Sequence, residues 1–540
     1  MRYLFLLTIT PVQDFISQAR KLKDLYGGST ILSKMSEVGI EYAKKRGATI
    51  IFPQQTEGKN SYPNRFLIEI SFDNEDKLKS FASNMSNEIL NYFRNLNKTK
   101  SSIVQKHIED FFQIYWSASE YSGEYKDAFD EVEKRLAGAK NSRFFSQLGE
   151  VGRKCSICGE RNIAIYQKPM RFYIKEQRKK LLVAKKSDNI QHGEGLCGVC
   201  YVKRKSTTKG FDSISDITIM NIPVEIRERY NYLQNDNQLF YEENLIKEYF
   251  QKNDIDYPLD ECLRELQEFK KAIRGEYKQT SYYAIVMFDG DDMGKWLSGQ
   301  KLNDKSRLKE FHKDISSYLS IFATEANHIL KEPKGITVYA GGEDFLGFVN
   351  INNLFEVLQE LNTQFNELIS KPLKEKYGLS DNFTFSAGVV IAHYKTPLGT
   401  VLNEVRKSEK KAKKNAGKDS VCFTVLKRSG EIRETVLKFE SFFELEYITK
   451  QLNKNFSDNF ISVLEKEFLL MCDKNGELDN SLNSMVYTEL ERTLKRSLKI
   501  ESAKDNIVLM VDSIRKIHTV NFRNFTNGLY ICRFINKEIG

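Results

Sequence analysis

Apolar and polar positions follow two different periods along the chain, and their order predicts most of its elements. Residues 2–9 are almost continuously apolar and predict a buried strand. Thr10-Pro11 then predicts a helix start, with Gln13 closing a capping box and Val12, Phe15, Ile16, Ala19, Leu22 and Leu25 on one face. Gly27-Gly28-Ser29 predicts the end of that helix and 30–45 a second one. Strands are predicted at 48–52 and 66–72, and a long helix at 75–97. A polar linker, 95–102, leads into a stretch (103–150) that reads as helical and carries Phe111, Phe112, Tyr115 and Trp116. Residues 205–280 read as a helical connection.

The pattern then starts again. Ser281 to Phe288 predicts a central strand, 306–331 a helix, and 335–340 and 345–349 two strands joined by Gly341-Gly342. A helix at 353–371, a strand at 383–392, a basic helix at 401–415 and a strand at 420–424 follow. Residues 426–540 read as helices, with Phe442, Leu445, Ile448 and Leu452 on one face. Both strand-rich stretches have the order of a ferredoxin-like palm. The expected fold is a multidomain α+β protein. Its parts are a first palm (1–100), a helical, zinc-binding region (101–275), a second palm (276–426) and a C-terminal helical domain (427–540).

The two palms differ in chemistry. In the second, Asp289-Gly290-Asp291-Asp292 ends the central strand, and Glu343-Asp344 follows the glycine turn. Carboxylates brought together at neighbouring strand ends repel unless cations lie between them. Asp289, Glu343 and Asp344 are therefore expected to hold two Mg²⁺ or Mn²⁺ ions, which would bind a nucleoside triphosphate for attack by a 3′-hydroxyl. Gly341 and Gly342 would let the backbone approach the nucleotide, and Lys413 or Lys414 would meet its phosphates. Asp291 and Asp292 serve either this site or the cap of the next helix. In the first palm, Gln13, Arg20, Gly28 and Ser29 are either cap and surface residues or contacts to a phosphate or base. That palm has no acidic strand tip, so catalysis is not expected from it.

Composition narrows this further. A chain of 540 residues, 41% hydrophobic and 29% charged, suits three or four folded domains. The net charge of +9 permits a nucleic-acid partner without requiring one. No apolar run approaches the ~20 residues of a membrane span. Residues 1–7 are too short and too soon followed by Pro11 and Gln13-Asp14 to read as a secretion signal. Cys155-x-x-Cys158 and Cys197-x-x-Cys200 predict a structural zinc in a reducing cytoplasm, while the other four cysteines read as core residues.

These stretches resemble the GGDEF nucleotidyl-cyclase palm. They are more closely similar to the large polymerase/cyclase-like subunit of type III CRISPR effector complexes of the Cmr type (III-B). The matching segments are Ile9 to Ile16, both cysteine pairs, Asp289 to Trp296, Tyr339 to Phe345, Ser386 to Ala392 and Ala412 to Lys418, in family order. The resemblance implies membership of a ribonucleoprotein with other subunits, a guide RNA and a target RNA. It implies that pairing with target RNA switches on conversion of ATP to a second messenger, usually cyclic oligoadenylate. Donor ATP and metals would lie in the second palm, with Ser386 at the nucleotide, and the acceptor in the first. Two departures stand out. No histidine is followed by Asp, so no His-Asp nuclease activity is expected. Glu343 stands where the family usually has Asp, which leaves open joining of AMP to S-adenosylmethionine instead of ring formation. A silent RNA-binding scaffold and a stand-alone GGDEF-type cyclase are the competing readings. Intact Asp289 and Asp344 oppose the first of these, and the zinc pairs and extra palm oppose the second.

Overall fold

A computed structural model describes residues 1–539 apart from 55–61, 122, 142–150, 173–177, 207–212, 416, 453, 502–505 and 518–520. The first palm contains β1 (Arg2–Thr10), α1 (Gln13–Ser17), α2 (Leu22–Lys44), β2 (Thr49–Phe52), β3 (Arg65–Ser71), α3 (Glu75–Asn95), α4 (Ser102–Glu109) and β4 (Gln113–Glu120). Its sheet has the order β2-β3-β1-β4, antiparallel throughout. β4 lies in the stretch expected to be helical, so the first sheet extends past residue 100. The strand is specified by alternation: Ile114, Trp116 and Ala118 pack on one core, and Tyr115 on another. Trp116 stacks on Phe5 of β1. Aromatics spaced for a strand had been hidden by the helical stretches on either side.

The start of the chain also differs from expectation. Thr10 stays in β1, where its hydroxyl donates to the Gln113 carbonyl (3.3 Å), and it does not cap α1. Helix α2 runs straight through Gly27-Gly28-Ser29. A Cβ at Gly27 would lie 2.3 Å from the Lys203 carbonyl oxygen, so the glycines permit a close helix crossing here and do not terminate the helix.

After α5 (Tyr125–Asn141) comes a small three-stranded sheet, β5 (Ile165–Tyr166), β6 (Leu182–Val183) and β7 (Gly195–Leu196), followed by α6 (Gly198–Lys205). Short helices fill most of 214–272. The second palm contains β8 (Tyr282–Gly290), α7 (Leu308–Ile329), β9 (Gly335–Gly341), β10 (Asp344–Asn350), α8 (Leu354–Phe365), β11 (Phe385–His393), α9 (Leu398–Lys414), β12 (Ser420–Leu426) and β13 (Ile432–Lys438). Its strand order is β13-β12-β11-β8-β10-β9. Within it, β11-β8-β10-β9 repeats the order β4-β1-β3-β2 of the first palm. β13 carries the sheet past residue 426, into the segment expected to be helical. Its backbone is bonded by the last helix of the chain: Asn524 donates to the Val436 carbonyl (2.9 Å) and accepts its N–H (2.7 Å), and Asn527 donates to the Glu434 carbonyl (2.9 Å). The helices Phe442–Gln451, Asn459–Phe468, Asn483–Ser497, Asn506–Ile517 and Phe522–Ile539 complete the chain, and their buried residues are continuous with the core of the second palm.

The palms are joined on two sides. Leu4, Leu6, Ile51 and Leu67 share a core with Phe311, Ile315 and Leu319 of α7. There Tyr125 donates to Nδ1 of buried His312 (2.8 Å), because Nε2 must give its proton to the Leu297 carbonyl (2.8 Å). On the other side, Ala19, Leu22 and Leu25 pack with Ile285, Leu346, Val401 and Leu402. Among the described residues, no helix is long and apolar enough to cross a membrane.

Candidate functional site

The face of the second sheet that receives α9 is set by strand alternation. Phe288 and Phe345 are paired and point into the main core, which turns Asp289 and Asp344, one residue further along, to the opposite face. Ser386 is paired with Asp289 from the neighbouring strand. The hairpin turn is Gly342-Glu343, and only Gly342 (φ 60°) takes the left-handed conformation; Gly341 is the last residue of β9 and pairs with Asp344. Gly290 keeps the two acidic tips close, since a Cβ there would lie 3.0 Å from that of Glu343.

Helix α9 comes down on this face at Gly388. A Cβ at Gly388 would meet the Glu409 nitrogen and the Val405 carbonyl oxygen, each at 2.5 Å. Both are backbone atoms, so Gly388→Ala must shift the helix. We expect a loss of about 1–3 kcal/mol in chemical denaturation, with the site residues on α9 displaced.

The carboxylates fall into two groups. Burial, and then the charge of Asp344, push Glu343 up to about 7, and burial pushes Asp344 up to about 6. On α9, burial and then Asp344 push Glu409 up to about 7. Glu343 and Asp344 share uncompensated negative charge, while Glu409 has the Lys413 ammonium 3.3 Å away. Asp289 and Asp292 instead hold ammonium groups. Asp289 accepts from Lys413. Asp292, at φ 56°, is surrounded by Lys418 (2.8 Å), Lys295 (3.2 Å) and Lys301 (3.5 Å). Lys418, followed by Lys295, holds it down at about 2.

Asp291 has a structural half and a free half. Its Oδ2 accepts from Thr384 (2.8 Å), Ser386 (3.1 Å) and the Asp419 backbone (3.0 Å). Its Oδ1 is buried and receives no hydrogen bond. Ser386 thus orients Asp291. Lys414 is exposed at the end of α9. Of the first palm's candidates, Gln13 reaches across to the second palm, where its Oε1 and backbone oxygen accept from Arg406 of α9 (3.0 and 3.2 Å). Gly28 is buried against Lys203, with Ser29 half-buried beside it. Glu409 was missed because it sits in a Lys-rich run that reads as a solvated face. Its position four residues before Lys413 was the available signal.

Hard oxygen donors with raised proton affinity and one orphaned buried oxygen fit divalent cations such as Mg²⁺ or Mn²⁺. Asp289, Glu343 and Asp344 do not form a tight cluster around one point. Among the described residues, the four cysteines are the one group of three or more ligand side chains whose donor atoms all lie within 4.8 Å.

Those cysteines fit zinc closely. Sγ of Cys158 and Cys197 are 3.8 Å apart, the edge of a tetrahedron with ~2.3 Å metal–sulfur bonds. Backbone N–H groups of Ile157 and Cys200 point at Cys155 (3.4 Å) and Cys197 (3.5 Å). Cys197 caps α6, which then carries buried Lys203 to the carbonyls of Phe15 (2.6 Å) and Gln18 at the end of α1. Arg204 next to it pairs with Asp24 of α2 (2.8 and 2.9 Å) and with Glu194 (2.8 Å).

The molecule thus has two palms of the same strand order, one with acidic strand tips and one without, and a four-cysteine unit packed on the first palm's core. Matched profiles agree: "Cas10/Cmr2, second palm domain" matches residues 282–422, and "CRISPR-associated protein Cmr2, N-terminal" matches residues 4–119. Within these two stretches the chain carries the N-terminal and second palm domains of the Cas10/Cmr2 family. It is 25% identical to the CRISPR system Cmr subunit Cmr2 of Pyrococcus furiosus, over 80% of this chain and 62% of that protein. The chain therefore spans somewhat less than two thirds of that relative's length. Among solved structures, the type III-B Cmr-beta complex bound to cognate target RNA contains a chain that matches 100% of this one (TM-score 0.65, 14% identity, 83% of that chain). The apo Cmr-beta state matches similarly (TM-score 0.63, 14% identity, 100% of this chain and 82% of that one). A Csm1–Csm4 cassette in complex with cA4 matches 99% of this chain and 70% of that one (TM-score 0.52, 13% identity). At these identities the likeness establishes the fold.

Proposed function

We propose that this subunit is a target-RNA-activated nucleotidyltransferase that makes a second messenger, cyclic oligoadenylate, from ATP. The observation that carries this reading is the placing of Asp289, Glu343 and Asp344 at adjoining strand ends, under α9, whose Arg406 is bonded to Gln13 of the opposite palm. The capture of a Csm1–Csm4 relative with cA4 supports the choice of product. Its partners are the other subunits of a type III effector, a guide RNA and a target RNA. The Cmr-beta relative bound to target RNA supports that assembly.

Asp289 and Asp344 would hold the divalent cations, with Glu343 completing the tip, and would thereby fix the donor triphosphate at the sheet face. The cations, when bound, neutralise the phosphates and lower the pKa of the attacking 3′-hydroxyl. Asp291, clamped by Thr384 and Ser386, turns its free oxygen inward. Lys418, Lys295 and the exposed Lys414 supply positive charge around the phosphates, so the chain needs no protein nucleophile. The four-cysteine unit holds zinc as a structural tie.

The test is to incubate the assembled complex with labelled ATP and Mg²⁺ or Mn²⁺, with and without cognate target RNA and S-adenosylmethionine, and to separate the products. Cyclic adenylates that appear on addition of target RNA support the reading. A product that requires S-adenosylmethionine replaces the ring-forming assignment. No nucleotide product under any condition makes this palm a scaffold.

A further inference from the structure

Helix α9 presents Glu409 and Lys413 one turn apart toward the strands that carry Asp289 and Asp344. The Lys413 ammonium bonds Oδ2 of Asp289 and also lies 3.3 Å from Oε1 of Glu409. One cation thus bridges a carboxylate of the sheet and a carboxylate of its own helix. The Glu409 side chain is only 12% exposed, and its backbone is fixed against Gly388. Lys413 reaches the site on a flexible four-carbon stem. The neighbouring lysines are placed differently: Lys418 is committed to Asp292, and Lys414 points to solvent.

We propose that Lys413 is the resident counter-ion of Asp289, and that Glu409 is a positioning residue that takes over the ammonium when a divalent cation arrives at Asp289. This rests on the reading of Asp289 as a cation ligand. An ammonium and a divalent cation in contact with the same carboxylate repel strongly in a partly buried site, so binding of one displaces the other. The displaced ammonium needs a partner within reach. Glu409 is already 3.3 Å away, in the favourable order with Glu one turn N-terminal to Lys. Glu409 in turn lies near Asp344, where a negative charge without a counter-ion is costly. The exchange therefore compensates both groups: the divalent cation covers Asp289, and Lys413 covers Glu409. The site would thereby resist cations until one binds firmly enough to evict the lysine.

The experiment is a Mn²⁺ titration of the full-length protein, with free Mn²⁺ read by electron paramagnetic resonance and folding followed by thermal melts. Four variants are compared with wild type: Lys413→Met, Glu409→Gln, the double variant and Asp289→Asn. Removing the competitor in Lys413→Met is expected to tighten Mn²⁺ about fivefold, the scale of a partly exposed ion pair. Glu409→Gln is expected to weaken it by a similar factor, because the ammonium then has no alternative to Asp289. In the double variant the affinity should equal that of Lys413→Met, since Glu409 has nothing left to receive. If Asp289→Asn leaves Mn²⁺ affinity unchanged, the metal reading itself fails. If Asp289→Asn weakens binding but Lys413→Met matches wild type, the exchange is wrong while the metal reading stands. If Glu409→Gln weakens Mn²⁺ equally with and without Lys413, Glu409 is a direct ligand and not the acceptor of the ammonium.

Discussion

Asp344→Asn and Asp289→Asn will each lower nucleotide turnover by about 10³-fold, and Asp344→Asn will leave the melting temperature at or above that of wild type. The two halves of this result have one origin. Asp344 is partly buried close to Glu343 and Glu409, and burial raises its affinity for a proton. Its charge costs the fold free energy that a neutral amide of the same shape would not. On the proposed mechanism the chemistry needs that charge, because Asp344 would hold a cation that screens the phosphates in the transition state. Losing one such preorganised electrostatic contact typically costs 10²–10³ in rate, and losing a metal ligand costs at least as much. Turnover within tenfold of wild type for both variants, measured as labelled product per complex, would remove the carboxylates from the mechanism.

A second large effect is expected far from those strand tips. Arg204→Met should destabilise the protein by about 3–5 kcal/mol, the cost of breaking a buried pair from one side. The side chains of Arg204 and Asp24 have no exposure, and Glu194 has 1%. Burial alone would raise Asp24, but its bonds to Arg204 and that residue's charge hold it below its usual range. Asp24 also accepts the backbone N–H groups of Arg20 and Lys21, both at 3.0 Å, so it shapes the turn between α1 and α2. Methionine fills the space of Arg204 but leaves two carboxylates facing an apolar interior. The change sits next in sequence to Lys203, which holds the end of α1, so zinc release should accompany unfolding of this region. Replacing Arg204, Asp24 and Glu194 together by apolar residues of similar size should recover part of the stability, the remainder being lost with the acceptor of the Arg20 and Lys21 N–H groups. Equal losses in the single and triple variants would mean that shape, not charge, dominates here.

Much of this architecture was legible in the sequence, and the exceptions share a cause. Strands buried on both faces, such as 2–9 and 383–392, announce themselves as apolar runs, and the acidic tips stand out because they interrupt such runs. β4 and β13 face different surroundings on their two sides and carry polar residues, so their period of two was masked by adjacent helices. Gly27-Gly28 has the letters of a helix end. Its real partner, the backbone of Lys203, is far away in sequence. Paired cysteines report their own partners through spacing. Lys413 was legible as a basic residue near the site, but its bond to Asp289 depends on how α9 crosses β11 at Gly388, which local pattern does not encode. Glu409 stayed hidden because it sits in a Lys-rich run that reads as a solvated face.

The asparagines that bond β13 bear on how this subunit can be joined by others. An outer strand with free N–H and C=O groups is a template onto which another chain can add a strand, in assembly or in aggregation. Asn524 and Asn527 engage the main chain of β13 at Glu434 and Val436. That flank of the acidic palm is thereby closed to recruitment by β-augmentation. A neighbour docking on this side must grip the C-terminal helices, and what it transmits would reach the acidic strands through the last helix of the chain.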